Sequence, residues 1–186
     1  MDQGQSREQS REQSQGQSRE QSREQGKGGD REYVSATLTV AAPAERVFAV
    51  LTDPATHAAI DGTGWVHEAV ERAPLAEEGQ VFRMAMYHPN HPDGHYQVAN
   101  KVHVLDAPRA IGWLTGEEKE DGRLTFGGWF WRYDLVPLGP SETEVTLTYD
   151  WTAVPPSIRE YLEFPMFGPD HLSNSLKHLA DLAVSG

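Results

Sequence analysis

The sequence predicts an α+β domain: a curved antiparallel sheet of about seven strands around a long C-terminal helix, with two short helices after the first strand. Three observations carry this expectation. One strand-like run is followed at once by a helical break. About six further runs then alternate between apolar and polar residues with no helix between them. An amphipathic helix closes the chain. A sheet with one dry face has to cover that face, and the closing helix is the element available to do so. A sheet that curls around one helix tends to leave a cavity, and cavities bind ligands.

The elements follow in order. Tyr33–Val40 alternates as a strand. Ala41–Pro54 reads as a helix: Pro43 suits a first turn, Val47, Phe48, Val50 and Leu51 make an apolar stripe, and Asp53-Pro54 ends it, because a residue before proline avoids the α region. Ala55–Ile60 reads as another helical turn or two, and Asp61–Gly64 as a loop. The strands then run in series. Trp65–Val70 is weakly patterned. In Gly79–His88, residues Phe82, Met84, Met86 and His88 share a face, against Arg83 and Tyr87. Turn residues fill His88–His95. Next, Tyr96, Val98, Asn100, Val102 and Val104 face one way, and Gln97, Lys101 and His103 the other. Ala110–Thr115 carries Trp113. Leu124–Val136 sets Trp129, Trp131, Tyr133 and Leu135 against Arg132 and Asp134, with Gly127-Gly128 marking a bulge or bend. Glu144–Thr152 sets Val145, Leu147, Tyr149 and Trp151 against Thr146, Thr148 and Asp150. Ser157–Phe167 is a short helix or a lid. Pro169 or Asp170 opens the last helix, whose Leu172, Leu176, Leu179 and Ala183 share a face.

Residues 1–30 stand apart. The unit Ser-Arg-Glu-Gln occurs at Ser6–Gln9, Ser10–Gln13, Ser18–Gln21 and Ser22–Gln25. Residues 6–25 hold nothing aliphatic or aromatic, so this tail is expected to be disordered, and the folded domain to span 31–186. The net charge is −12, nearly all of it in the domain, which disfavours nucleic acid and anionic membrane surfaces. No cysteine is present, which removes disulfides, thiolate nucleophiles and cysteine-bound zinc. No apolar run approaches the ~18 residues of a membrane span, so membrane insertion is not expected and a cytoplasmic location is.

Val40–Pro54, Ile60–Gly64, Trp131–Pro137 and Glu144–Trp151, in this order, resemble the START-like superfamily, also called SRPBCC or Bet v 1-like. Within it the chain looks most like bacterial proteins labelled polyketide cyclase/dehydrase. The resemblance covers about residues 33–184 and implies a helix-grip fold. It does not imply one activity, since the superfamily includes lipid carriers, hormone receptors, aromatic cyclases, ring-hydroxylase domains and chaperone activators.

The inward stripe supplies the candidate site. Phe82, Met84, Met86, His88, Tyr96, Asn100, Trp113, Trp129, Trp131, Tyr133 and Tyr149 are the expected ligand-binding residues. Rings and thioethers suit a flat or isoprenoid-like molecule, and a buried polar group costs free energy unless it is paired. His88 and Tyr133 are the candidate acid/base groups. The resemblance places His57 and Asp61 near the opening of the fold, where they would line an entrance, while Asp61 also suits the shaping of the Asp-Gly turn. His88, His91, Asp93 and His95 crowd one loop but match no rigid metal spacing, and no metal or cofactor is expected. His67, His103, His171 and His178 read as surface or packing residues. The expected function is binding of a small hydrophobic (lipid, polyketide or aromatic) ligand. The alternatives are a polyketide cyclase/dehydratase-type enzyme using the same cavity, and an interaction module. Protein partners and oligomeric state stay open.

Overall fold

The computed structural model describes residues 23–28 and 31–186. One antiparallel sheet runs in the order β1-β2-β8-β7-β6-β5-β4-β3. The expected seven strands are β2 (Arg31–Val40), β3 (Val66–Ala69), β4 (Val81–Tyr87), β5 (His95–Asp106), β6 (Ala110–Glu118), β7 (Leu124–Gly139) and β8 (Glu142–Asp150). The additional strand, β1 (Arg23–Gly28), falls inside the stretch expected to be disordered, and pairs with β2 from Arg23 opposite Ala36 to Gly28 opposite Arg31. The rest of that expectation concerns residues 1–22 and 29–30, which lie outside the described residues.

The order explains the helical break. β2 and β3 are consecutive strands, yet five strands stand between them in the sheet, and the chain crosses between them through α1 (Ala44–Leu51), a 3-10 turn (Pro54–Thr56) and α2 (His57–Asp61). Everything after β3 is a meander that ends when β8 meets β2, in register from Tyr33 opposite Asp150 to Val40 opposite Thr143. The crossover buries Ala44, Val47, Phe48 and Leu51 of α1. Pro43 sits just before the first turn, where its carbonyl accepts from the Arg46 and Val47 N–H groups.

After the strands come α3 (Pro156–Arg159), a strap to Phe167, and α4 (His171–Val184). Leu172, Leu176, Leu179 and Ala183 of α4 are buried, and the helix packs on β2, β8, α1 and α2. Two local devices fix this geometry. At the end of α2, Gly62 adopts φ +67°, and a Cβ there would lie 2.3 Å from the His178 ring, whose Nδ1–H donates to the Ile60 carbonyl at 3.0 Å. In β7, Gly116 pairs with Phe126 but Leu114 with Phe130, so the ladder bulges at the predicted Gly127-Gly128. The expected alternation of β5 is also broken: its register against β6 shifts between Val102, which is buried, and Val104, which is only half-buried.

Candidate functional site: a cavity under the C-terminal helix

Alternate side chains of β4 to β7 point into the concave face. There Met84, Met86, Tyr96, Asn100, Trp113, Trp129, Trp131 and Tyr133 surround a cavity of about 1160 Å³. Helix α2 contributes His57, Ile60 and Asp61, α4 contributes His171 and Ser175, and the strap adds side chains from Ile158 to Phe167. The sheet walls are therefore strong ladder structure, while the strap is held at its start by Arg159, which donates to the carbonyls of Val154 and Trp151 at 2.9 Å each and pairs with Glu32 at 2.7 Å.

Two expected ligand-binding residues are placed elsewhere. Phe82 is buried edge-on against the rings of His57 and Trp113, so it backs the wall and does not line it. Tyr149 is fully buried, covered by Trp131, Trp151 and Phe167, and its hydroxyl has no hydrogen-bond partner among the described residues. Both point inward as alternation requires, but neighbouring rings lie between them and the space. His88 lines the cavity and packs edge-on against Trp65 at 4.7 Å between ring centres. Its Nδ1 accepts from the Asn90 N–H at 3.1 Å, which leaves it an Nε2–H to donate and no free lone pair. The other loop histidines are parted by aromatic rings: His91 stacks on Tyr96, and His95 lies against Tyr87.

The remaining polar groups fall into three settings. On the sheet, Thr115 donates its hydroxyl to Asn100 Oδ1 at 2.8 Å, leaving the Asn100 amide N–H groups as donors. In the wall, His57 stacks on Trp113 at 5.0 Å, and its Nε2 lies 2.9 Å from the Leu51 carbonyl. A carbonyl only accepts, so Nε2 carries the proton. Burial lowers the His57 pKa and keeps the ring neutral, so Nδ1 is its lone pair. At the α2–α4 end, Asp61 Oδ1 lies 3.7 Å from His171 Nε2, with side-chain exposures of 15% and 10%. Burial lowers the His171 pKa, and His178 adds to this while Asp61 opposes it. Burial also raises the phenol pKa of Tyr133 and of Tyr96, and in each the Asp61 charge adds to the effect, so both stay as hydroxyl donors.

Residues 41–179 match the family described as "Activator of Hsp90 ATPase homolog 1-like protein". The chain belongs to this family. The Activator of Hsp90 ATPase homolog 1-like family sits within the SRPBCC superfamily that the sequence resembles. Among curated proteins, the uncharacterized protein Rv0088 of Mycobacterium tuberculosis is 29% identical over 120 residues, which is 64% of this chain and 48% of that protein. The chain thus spans about half the length of the curated relatives it matches. Among solved structures, a norcoclaurine synthase of Thalictrum flavum gives a TM-score of 0.58 at 17% identity, over 83% of this chain and 95% of that one. The Zhui aromatase/cyclase of Streptomyces gives 0.50 at 20%, over 83% and 87%. At these identities the likeness establishes the helix-grip fold.

Sequence reasoning missed His171, Trp65 and Phe126 as cavity residues, and of the segment it read as a short helix or a lid it named no residue for the site. His171 carried a signal: with Ser175 it forms a polar i, i+4 pair beside the apolar stripe of α4. Trp65 and Phe126 adjoin turns or bulges, where period-two reasoning loses its phase.

Proposed function

We propose that this protein binds a small hydrophobic molecule in the cavity between the sheet and α4. The observation that supports this is the space of about 1160 Å³ walled by tryptophan, tyrosine and methionine. A close-packed core holds few voids larger than a water molecule, and this space is somewhat larger than the roughly 300–1,000 Å³ of most small-molecule sites. Apolar burial would supply the affinity, at about 25 cal/mol per Å². The Asn100 amide and the Tyr96 and Tyr133 hydroxyls would orient the ligand.

An enzyme of the cyclase/dehydratase type is the second reading. It is favoured by one arrangement: a neutral imidazole at His171 beside the Asp61 carboxylate, with two undissociated phenols within that carboxylate's electrostatic reach. Action on an Hsp90 ATPase, which the family description names, has less to rest on. Among the described residues, the exposed large apolar side chains include Val136 and Leu138 on the β7–β8 hairpin and Tyr161, Leu162 and Met166 on the strap, where all three also line the cavity.

Native mass spectrometry of gently purified protein, followed by organic extraction, tests both readings. A co-purifying apolar small molecule is the expected result. Recovery of that molecule chemically altered after incubation would favour the enzyme. A protein that carries nothing and takes up no hydrophobic fluorescent probe would remove both.

A further inference from the structure

The cavity's charges are one-sided. Among the described residues no lysine or arginine lines it, whereas Asp61, Glu117 and Glu163 do. Lys119 pairs with Glu117 on the adjoining strand end, so that charge is answered. Asp61 is different. Its Oδ2 accepts from the Thr63 N–H at 3.1 Å and from the Thr63 hydroxyl. Among the described residues, the charge-capable side chain paired with it is His171, at 3.7 Å, beyond hydrogen-bond length. Burial holds the pKa of that imidazole down against the pull of Asp61, and no lysine or arginine is paired with the carboxylate among the described residues.

A carboxylate at the wall of an apolar cavity that holds no lysine or arginine attracts a cation, and a ligand that brings one supplies the missing partner. The surroundings fit such a ligand. Tyr96, Tyr133 and Trp131 line the same cavity as Asp61, the two phenols feel its charge, and Trp131 meets His171 edge-on at 5.9 Å, so the space offers aromatic faces as well as the carboxylate. Those faces attract a cation as well. An anionic head group, such as a fatty-acid carboxylate or a lipid phosphate, would face repulsion from Asp61 and find no guanidinium or ammonium to bind it.

We propose that the cavity takes a hydrophobic amine, its protonated nitrogen against Asp61 and its apolar body against the tryptophans of β6 and β7. This rests on the ligand-binding reading above and narrows it to cationic ligands.

The test uses three probes of one skeleton: phenylbutylamine, phenylbutanol and phenylbutyrate. Their binding to the full chain at neutral pH is followed by quenching of tryptophan fluorescence and by calorimetry. The amine is expected to bind about ten-fold or more tighter than the alcohol, and the acid more weakly than the alcohol. In Asp61→Asn, which keeps an oxygen for Thr63, the advantage of the amine over the alcohol should disappear. Equal affinities of all three probes for the unaltered protein, or an amine preference that survives in folded Asp61→Asn, would overturn the proposal and leave the hydrophobic-cavity reading standing. Failure of all three probes to bind would remove that reading and this one together. The probe ranking needs no variant, so it decides the matter even if Asp61→Asn does not fold.

Discussion

The imidazole of His57 lies flat on Trp113 and edge-on to Phe82, with its Nε2–H on the Leu51 carbonyl. Charging it means placing a cation among rings with no anion in contact. Burial accordingly lowers its pKa below the usual 6.5, and burial does the same at His103 and His171. The unfolded chain thus binds these protons first as pH falls. The stability contributed by the three neutral rings is complete above about pH 6.5 and is lost as pH drops through that value toward their folded pKa values. Urea midpoints should therefore fall between about pH 7.5 and 5.5. The slope should be shallower in His57→Gln, which keeps a donor for Leu51; an unchanged slope would mean that His57 charges without penalty. At this scale the sequence was partly legible. Alternation identified most of the rings around the cavity, because a pleat leaves a strand residue only two directions. It did not tell Trp113, which lines the space, from Phe82, which lies behind it, since that depends on which ring of a neighbouring strand lies in front. It placed His171 among surface or packing residues, because the α2–α4 contact joins residues more than a hundred positions apart.

Among the elements, β7 does the most. It bulges at Gly127-Gly128, then presents Trp129, Trp131 and Tyr133 to the cavity. Gly128 has φ +93°, and a Cβ there would stand 2.4 Å from the Ala153 carbonyl oxygen. Gly128→Ala should therefore cost at least the strain of a non-glycine residue in that region, about 1–3 kcal/mol, with the collision against a fixed backbone oxygen added. Equilibrium urea unfolding would read the loss, and a variant as stable as the parent would show that the bulge relaxes freely. The glycine pair was visible in the sequence as a break in a strand. The direction in which the bulge re-aims Trp129 was not, because bulge geometry depends on the partner strand. The crossover helices and α4 were plain from their apolar stripes. β1 was not: its polar repeat residues carry no burial pattern, and a strand held by backbone pairing leaves no such trace in side-chain order.

The whole molecule carries a net charge of −12, and several of its ion pairs are exposed, such as Arg109 with Asp106 and Arg123 with Asp121. Exposed pairs add little, whereas self-repulsion acts on the compact state as a whole. Raising the ionic strength from about 20 to about 300 mM shortens the screening length to below the molecule's dimensions, so the melting temperature should rise. A fall would mean that attractive pairs, such as Arg83 with Glu71 and Glu118, outweigh the repulsion. The architecture itself was legible from element order. A strand, a helical crossover, an unbroken meander and a closing helix admit few closed arrangements once strands pair with their sequence neighbours.

The strap between α3 and α4 has a further consequence. Its Leu162, Met166 and Phe167, with Ile158 of α3, help to enclose the cavity, while Tyr161 remains 83% exposed. It belongs to no strand ladder and to no helix beyond the single turn of α3. The strand ladders and α4 hold the architecture, whereas the volume and shape of the cavity are partly set by these few residues. Substitutions there would reshape the space while the ladders stay as they are, so chains of this architecture can differ in cavity shape without differing in fold.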